Sequence, residues 1–474
     1  MTYVARQSPS AQARPVAIVG AGITGLTAAF RLRQRDIPVT VYEASDRVGG
    51  VIRSIRQEGY LAEFGPNSIL ETSPKIAALI CDLGLEPRRL YSEPQAENRY
   101  LVRRGQPVCL PMSPLKFFGT PLFSAGAKLR LLREPFVRRA PADREESVAD
   151  FVLRRLGREW LDYAINPLVA GIYAGDPRRL SVPHAFPRLH AVEQRYGSLI
   201  LGQMLGARER KRRGEVSKQE AKKVSFDDGL QALTDTLGAR LGPVLCLQHE
   251  VTRLTRQVDH WQVTIVSGRS QIVAEHAAVV LAAPTYRLAT IGLDAGPGLS
   301  LSLSLAPLGA VRYPPVASVV LGFRRDQVPH PLDGFGMLIP EVERFKILGT
   351  LFSSSLFPQR APAGHVTLTS YVGGDRAPEL ALRPAEELHA MTVQDLRAIL
   401  GVTGQPTYQH SVLYPQAIPQ YELGYGRYKD LMAELEQGAP GLFFAGHYRD
   451  GISLGDSLLS GHAVAERIGV SPHY

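Results

Sequence analysis

Val16-Ala17-Ile18-Val19-Gly20-Ala21-Gly22-Ile23-Thr24-Gly25 is followed, one helix length later, by Val39-Thr40-Val41-Tyr42-Glu43. An apolar strand leads into three glycines spaced G-x-G-x-x-G. A helical pattern comes next, with Ile23, Leu26, Ala29, Phe30 and Leu32 on one side, and a second strand ends on an acid. The glycine spacing alone is a weak signal. With both strands, the helix and Glu43, it reads as a dinucleotide-binding βαβ unit. Gly20 suits the turn out of the strand, Gly22 leaves room for a pyrophosphate, and Gly25 lets helix and sheet close together. The segment Gly20 to Gly25, with Ala21, Ile23 and Thr24, offers free N–H groups and the positive end of a helix dipole to phosphates. The Glu43 carboxylate suits an adenosine ribose and repels a 2′-phosphate, which disfavours NADP. Without a ligand, the same residues make an ordinary strand–helix turn.

Ala44 follows Glu43, and then comes Arg47-Val48-Gly49-Gly50-Val51. The pattern Glu43-x-x-x-Arg47-x-Gly49-Gly50 resembles the extended fingerprint of FAD-dependent amine oxidases, desaturases and porphyrinogen oxidases. Its physical reading is a second glycine-rich turn beside the pyrophosphate, with Arg47 adding positive charge. As a residue alone, Arg47 reads equally as a solvated surface group. Near the other end, Phe444-Ala445-Gly446-His447-Tyr448-Arg449-Asp450-Gly451-Ile452-Ser453-Leu454-Gly455-Asp456 leads a strand through a glycine-rich turn into a helix. Such a helix start suits the flavin pyrimidine edge, where its dipole stabilises negative charge on a reduced ring. Gly446, Ile452, Ser453 and Leu454 are expected to contact the cofactor there. An αβ connection with no ligand is the plainer alternative.

With 474 residues, the chain has room for two or three domains. It is 45% hydrophobic and 21% charged, the composition of a globular protein, and no apolar run is long enough to span a membrane. Cys81, Cys109 and Cys246 are few, odd in number and far apart. They fit a reducing compartment and no metal motif, so metal is not expected. None lies near the C-terminus, where some flavin relatives attach the cofactor, so FAD is expected to be non-covalent. Much of the net charge of +9 comes from Arg208 through Lys223. That run reads as an exposed loop or, more sharply, as attraction to anionic lipid. No recognition module accompanies it, so nucleic acid is not an expected partner.

The expected fold is mixed α/β and α+β, with a discontinuous Rossmann-like FAD domain. Its pieces are residues 15–95, 224–292 and 412–474. Residues 96–112 and 293–411 are expected to form an antiparallel-sheet substrate domain. Residues 113–205 are expected to form a helical, membrane-associating domain, 206–223 a basic flexible loop, and 1–14 a disordered leader. In the helical region, Phe117, Phe118, Leu122, Phe123, Leu129, Leu131, Leu132 and Phe136 are interleaved with Lys116, Lys128, Arg130 and Arg133. The mixture suits a membrane interface and, equally, a core-facing helix pair. Strands are expected at 244–254, 261–266, 278–283, 316–323, 334–340, 346–352 and 365–372.

The central motifs are Gly65-Pro66-Asn67-Ser68, Asn98-Arg99-Tyr100, Ala170-Gly171-Ile172-Tyr173-Ala174-Gly175-Asp176-Pro177, Gly334-Phe335-Gly336, Leu348-Gly349-Thr350-Leu351-Phe352-Ser353-Ser354, Phe357-Pro358-Gln359-Arg360-Ala361-Pro362 and Tyr414-Pro415-Gln416-Ala417-Ile418-Pro419-Gln420-Tyr421. Through them, nearly the whole chain resembles the flavin-dependent protoporphyrinogen oxidase family. The resemblance implies that protoporphyrinogen IX loses six electrons in three FAD-mediated two-electron steps. A hydride equivalent passes to flavin N5 each time, and dioxygen is reduced to hydrogen peroxide. It also implies that Arg99 contacts a propionate and Phe352 packs on the macrocycle, with Leu338 and Leu321 as weaker partners. Gly171 and Gly175 would line the pocket, and Asn67 would orient the reacting ring as the catalytic residue. Gly65, Pro66 and Ser68 would lie beside the flavin, and Val251 would hold adenine through its backbone. As residues alone, Leu321, Leu338, Phe352 and Val251 read as sheet core, and the two glycines as helix ends.

Coproporphyrinogen III oxidation by the same family is the nearest alternative. An amine oxidase or desaturase is weaker, because Tyr448 lacks an aromatic mate and Lys346 is the only lysine in a plausible region. A non-catalytic flavoprotein scaffold remains a third class. Expected partners are the porphyrinogen, dioxygen and a membrane surface, and a homodimer is compatible with the reading. The expected location is the cytoplasm, at the cytoplasmic membrane.

Overall fold

A computed structural model describes residues 14–111, 114–141, 144–202, 204–205, 221–294 and 304–470. Residues 1–13 of the expected leader and 206–220 of the basic loop lie outside the described residues.

The strands Val16–Val19 and Ala278–Leu281 are buried at every position. That is what a parallel strand covered on both faces requires. They sit at the centre of a five-stranded parallel sheet in the order 245–247, 39–43, 16–19, 278–281, 442–444. Three separate stretches of chain therefore build one sheet. Val16, Ile18, Ala278 and Val280 pack against the helices Ile23–Arg33, Gln231–Leu241 and Leu454–Gly469. Ala17, Val19, Val279 and Leu281 face the opposite way, toward Leu254, Trp261, Val263 and Ile265 of a four-stranded sheet.

A second body is the seven-stranded sheet, ordered 408–414, 316–324, 365–373, 347–351, 334–338, 98–103, 106–109. The hairpin Asn98–Arg103 and Gln106–Cys109 turns at Arg104-Gly105, as its alternation indicates. One face of the sheet is covered by the helix Ala385–Leu400, through Leu388, Leu396, Ile399 and Leu400. The described residues between 114 and 202 form mainly short helices. A buried ion cluster ties them together: Arg155 pairs with Glu134 and Glu193, and Glu134 also accepts from the Leu199 N–H at 2.9 Å.

Four local expectations change. The segment 244–254 is two strands, Leu245–Leu247 and Glu250–Arg256, separated where Gln248 takes φ of 57°. Ser270–His276 is an edge strand whose residues are mostly exposed, so it shows no apolar alternation. Tyr408–Tyr414 runs along Val316–Arg324 and crosses the expected domain border at 411/412. Lys223, read as the end of the basic loop, opens the strand Lys223–Phe226.

Candidate active site

One continuous cavity of about 2560 Å³ is lined by both the parallel sheet and the seven-stranded sheet. That exceeds the ~300–1,000 Å³ of a single small-molecule pocket. It has room for a dinucleotide and a second large ligand.

The dinucleotide wall contains Gly20, Gly22, Ile23, Thr24, Glu43, Ala44, Gly49, Gly50 and Val51. Gly20 turns with φ of 104°. A Cβ on Gly22 would meet nothing within 4 Å, so the backbone faces open space. A Cβ on Gly25 would overlap the Gly20 carbonyl oxygen and come within 3.2 Å of Ile18 Cγ2. The two glycines thus do different work, one toward the cavity and one inside the turn. The Gly49 N–H donates to the Ala21 carbonyl at 2.8 Å, locking the second glycine turn onto the first. Glu43 accepts from the Ala21 N–H at 2.7 Å and from the Ser45 N–H at 2.9 Å, which fixes the carboxylate at the end of its strand. Val251 also lines the cavity. Its strand gains a parallel partner only from Arg253 onward, and a register shift separates Val251 from Arg253 on the other side. The helix Leu454–Gly469 is capped by Ser453, whose hydroxyl accepts from the Asp456 N–H at 3.1 Å. Ile452, Ser453 and Leu454 line the cavity at that helix start.

Gly65, Pro66, Asn67 and Ser68 border the same space. The Asn67 amide donates to the Tyr371 phenol at 2.8 Å. Burial drives the Tyr371 pKa upward, so the phenol stays protonated. His447 lines the cavity too, and burial lowers its pKa to about 4, leaving a neutral imidazole. Arg99, Tyr100, Gly171, Leu338, Phe335 and Lys223 line another part of the wall. Gly171 lies on the helix Asn166–Tyr173, and a Cβ there would approach Leu338 Cδ2 at 2.5 Å. The missing side chain lets that helix close on the sheet.

Several expected residues lie behind the wall. Leu321 is fully buried, with Ala317, Val319 and Phe323, on the face toward the helix Ala385–Leu400. Strand alternation puts Val316 and Ser318 on the cavity face instead. Phe352 is fully buried beneath Tyr100 and His330, with ring centroids 6.2 and 5.6 Å away. The Tyr100 ring belongs to the same core, on the face toward the helix Ala385–Leu400, with its hydroxyl donating to Asp333 at 2.5 Å. Gly175 is buried against Gln420, whose Nε2 donates to the Tyr173 carbonyl at 2.8 Å. Arg47 turns its guanidinium onto the Val48 and Ile52 carbonyls, at 3.0 and 3.2 Å, and so braces its own loop. Ala21, Gly25 and Gly446 are buried just behind the lining. Nothing local in the sequence places Tyr371 or Lys223 in the lining, and Phe335 stands out only through the motif Gly334-Phe335-Gly336.

The description "Flavin containing amine oxidoreductase" fits a family model matching residues 23–469. Protoporphyrinogen oxidase 2 of Arabidopsis thaliana is 36% identical, over 98% of this chain and 95% of that protein. The chain belongs to this family, among the protoporphyrinogen oxidases. It is an FAD-dependent oxidoreductase. The Bacillus subtilis coproporphyrinogen III oxidase is 28% identical over 95% of this chain and 96% of its own length. A solved chain from Exiguobacterium sp. 255-15, proposed to be a protoporphyrinogen oxidase, shares the fold, with a TM-score of 0.80 and 23% identity. It covers 97% of this chain and is itself fully covered. FAD suits the wall described above. The open backbone at Gly22, the fixed Glu43 carboxylate and the capped helix start at Leu454 offer a dinucleotide its donors and acceptors. Lys346 and Tyr448, the residues an amine oxidase reading would use, are not in the lining, which holds Lys223 and Lys429 instead. Lys346 points to Gln394, at 3.5 Å, and Tyr448 is buried with its hydroxyl on the Leu281 carbonyl.

Proposed function

We propose that this oxidoreductase converts protoporphyrinogen IX to protoporphyrin IX, with three dioxygen molecules reduced to three hydrogen peroxide. The observation that carries the reading is the joining of the dinucleotide wall to a second compartment lined by Arg99 in one cavity. The names of the 36%-identical relatives support the substrate class. FAD, when bound, supplies the two-electron acceptor chemistry.

The chain's own residues bind, orient and exclude water. The backbone from Gly20 to Gly25 and the helix Ile23–Arg33 hold the pyrophosphate. Glu43 takes the ribose hydroxyls, and the free strand edge at Val251 takes adenine. The helix start at Ile452 to Leu454 would hold the pyrimidine end of the flavin, where its dipole favours negative charge. Asn67, fixed by Tyr371, orients the reacting ring, since a neutral amide is a poor base. Arg99 takes a propionate, for which its planar fork is suited. Leu338, Phe335 and the side-chain-free Gly171 give the flat macrocycle apolar walls.

Initial rates with protoporphyrinogen IX and coproporphyrinogen III, measured side by side, test the substrate. Faster protoporphyrinogen turnover is expected. Faster coproporphyrinogen turnover overturns the choice in favour of coproporphyrin formation.

Among the described residues, no helix is long and apolar enough to cross a membrane. Phe118, Leu129, Leu132 and Phe136 are nevertheless exposed, Phe136 at 89%, whereas Leu122 and Phe123 are core. The expected helix pair is thus half core and half exposed apolar surface, which supports peripheral attachment. Flotation with anionic vesicles tests it, and loss of flotation in Phe136→Asp is the expected result.

A further inference from the structure

Lys223 is held at the start of the strand Lys223–Phe226, paired with Leu70, and its carbonyl accepts from the Ser92 N–H at 3.0 Å. Its half-buried side chain lines the cavity alongside Arg99. The Lys223 Nζ lies 5.6 Å from the centroid of the Phe335 ring. Phe335 reaches that place because of a bulge. Gly334 and Gly336 pair with Asn98 and Arg99, and the register shift between them leaves Phe335 outside the ladder. Bulges of this kind re-aim side chains next to active sites.

Three strands therefore bring a guanidinium, an ammonium and an aromatic face to one stretch of wall. Burial first, and then the Arg99 charge, push the Lys223 pKa down, while the exposed Glu97 opposes them. Neither cation forms an ion pair with a carboxylate among the described residues. Two half-buried like charges repel each other, and an anion between or beside them relieves both.

We propose that Lys223 is a second carboxylate anchor of the substrate, acting beside Arg99 so that two neighbouring propionates are taken one by each cation. The proposal rests on the porphyrinogen reading. The two cations differ in what they demand. Arg99 offers a fixed planar fork, and Lys223 a compact charge on a flexible stem. Arg99 thereby sets the orientation of one carboxylate, and Lys223 follows the second.

Titration of the FAD-loaded protein with protoporphyrin IX and with its dimethyl ester, read by porphyrin fluorescence, tests this. The wild type is expected to prefer the free acid. Lys223→Gln is expected to lose about ten- to a hundredfold in affinity for the acid, the range of a charged hydrogen bond. It should lose little for the ester, and Lys223→Arg should recover most of the affinity for the acid. Flavin content checks the fold of each variant, and Lys223→Met serves as a second neutral substitution. Equal losses for acid and ester, or no loss for the acid, overturn the proposal. If the wild type prefers the acid and the neutral variants match it, Lys223 is excluded while the porphyrinogen reading stands. If the wild type binds neither porphyrin, both readings fall.

Discussion

Asn67 and Tyr371 meet at 2.8 Å, amide to phenol, and so connect the loop after the dinucleotide segment to the seven-stranded sheet. The same amide reaches the Gly65 carbonyl at 3.4 Å. Tyr371→Phe removes the stronger acceptor and frees the amide to rotate. A net hydrogen bond of about 1 kcal/mol implies a fall of about three- to tenfold in kcat/KM. Flavin content should stay unchanged. Steady-state kinetics with a flavin absorbance check decide it, and a parallel loss of flavin would point to a cofactor role instead.

Gly22 and Gly25 should fail in different ways. The Cβ of Gly22→Val enters open space, so the chain should fold and yet bind no FAD. The Cβ of Gly25→Ala overlaps a backbone carbonyl that has nowhere to move. Overpacking of this kind costs about 1–3 kcal/mol or more. Thermal melting of the two apoproteins, compared with the wild-type apoprotein, should show a loss only for Gly25→Ala.

Arg99→Ala should raise KM for the porphyrinogen by about ten- to a hundredfold, with kcat much less affected. Removal of a binding contact predicts that split. A fall in kcat at unchanged KM would place Arg99 in the chemical step.

Glu63 and Arg360 are 3% and 2% exposed and lie 2.9 Å apart. They clip the strand Tyr60–Glu63 to the segment that follows the helix Ser353–Leu356. Glu63→Gln leaves the Arg360 charge buried without its counter-ion. Breaking a buried pair in this way costs about 3–5 kcal/mol. Denaturant unfolding of the holoprotein measures it, and a change below about 1 kcal/mol would contradict the role.

His276 is 1% exposed and faces the Tyr42 hydroxyl at 2.9 Å. Burial lowers its pKa to about 4, against about 6.5 in an unfolded chain. Between these values the unfolded state binds the extra proton. Stability is therefore fully present above about pH 6.5 and is lost as the pH falls toward 4, by on the order of 3 kcal/mol. His276→Gln should flatten the unfolding free energy across that window. An unchanged slope would assign the acid sensitivity to other groups.

The first βαβ unit was legible because strand, glycines, helix and Glu43 are contiguous. The cavity's far wall was not. Val316 to Phe323 is apolar at nearly every position, so nothing local says that Ser318 faces the cavity and Leu321 the helix. Lys223 was lost in a run of positive charge, and its place beside Arg99 depends on two strands distant in sequence. Tyr371 has the same character, because its partner Asn67 lies 304 residues away. Family resemblance located Arg99 and Gly171 in the lining, but Phe352 lies in the core with Tyr100, a placement that only the strand order of the folded sheet decides.

Anaerobic mixing of the purified holoprotein with protoporphyrinogen IX tests the central claim most directly. The flavin bands should bleach as porphyrin fluorescence appears, and admission of air should restore them with release of hydrogen peroxide. A flavin spectrum that stays unbleached in the presence of the porphyrinogen would contradict the proposed function.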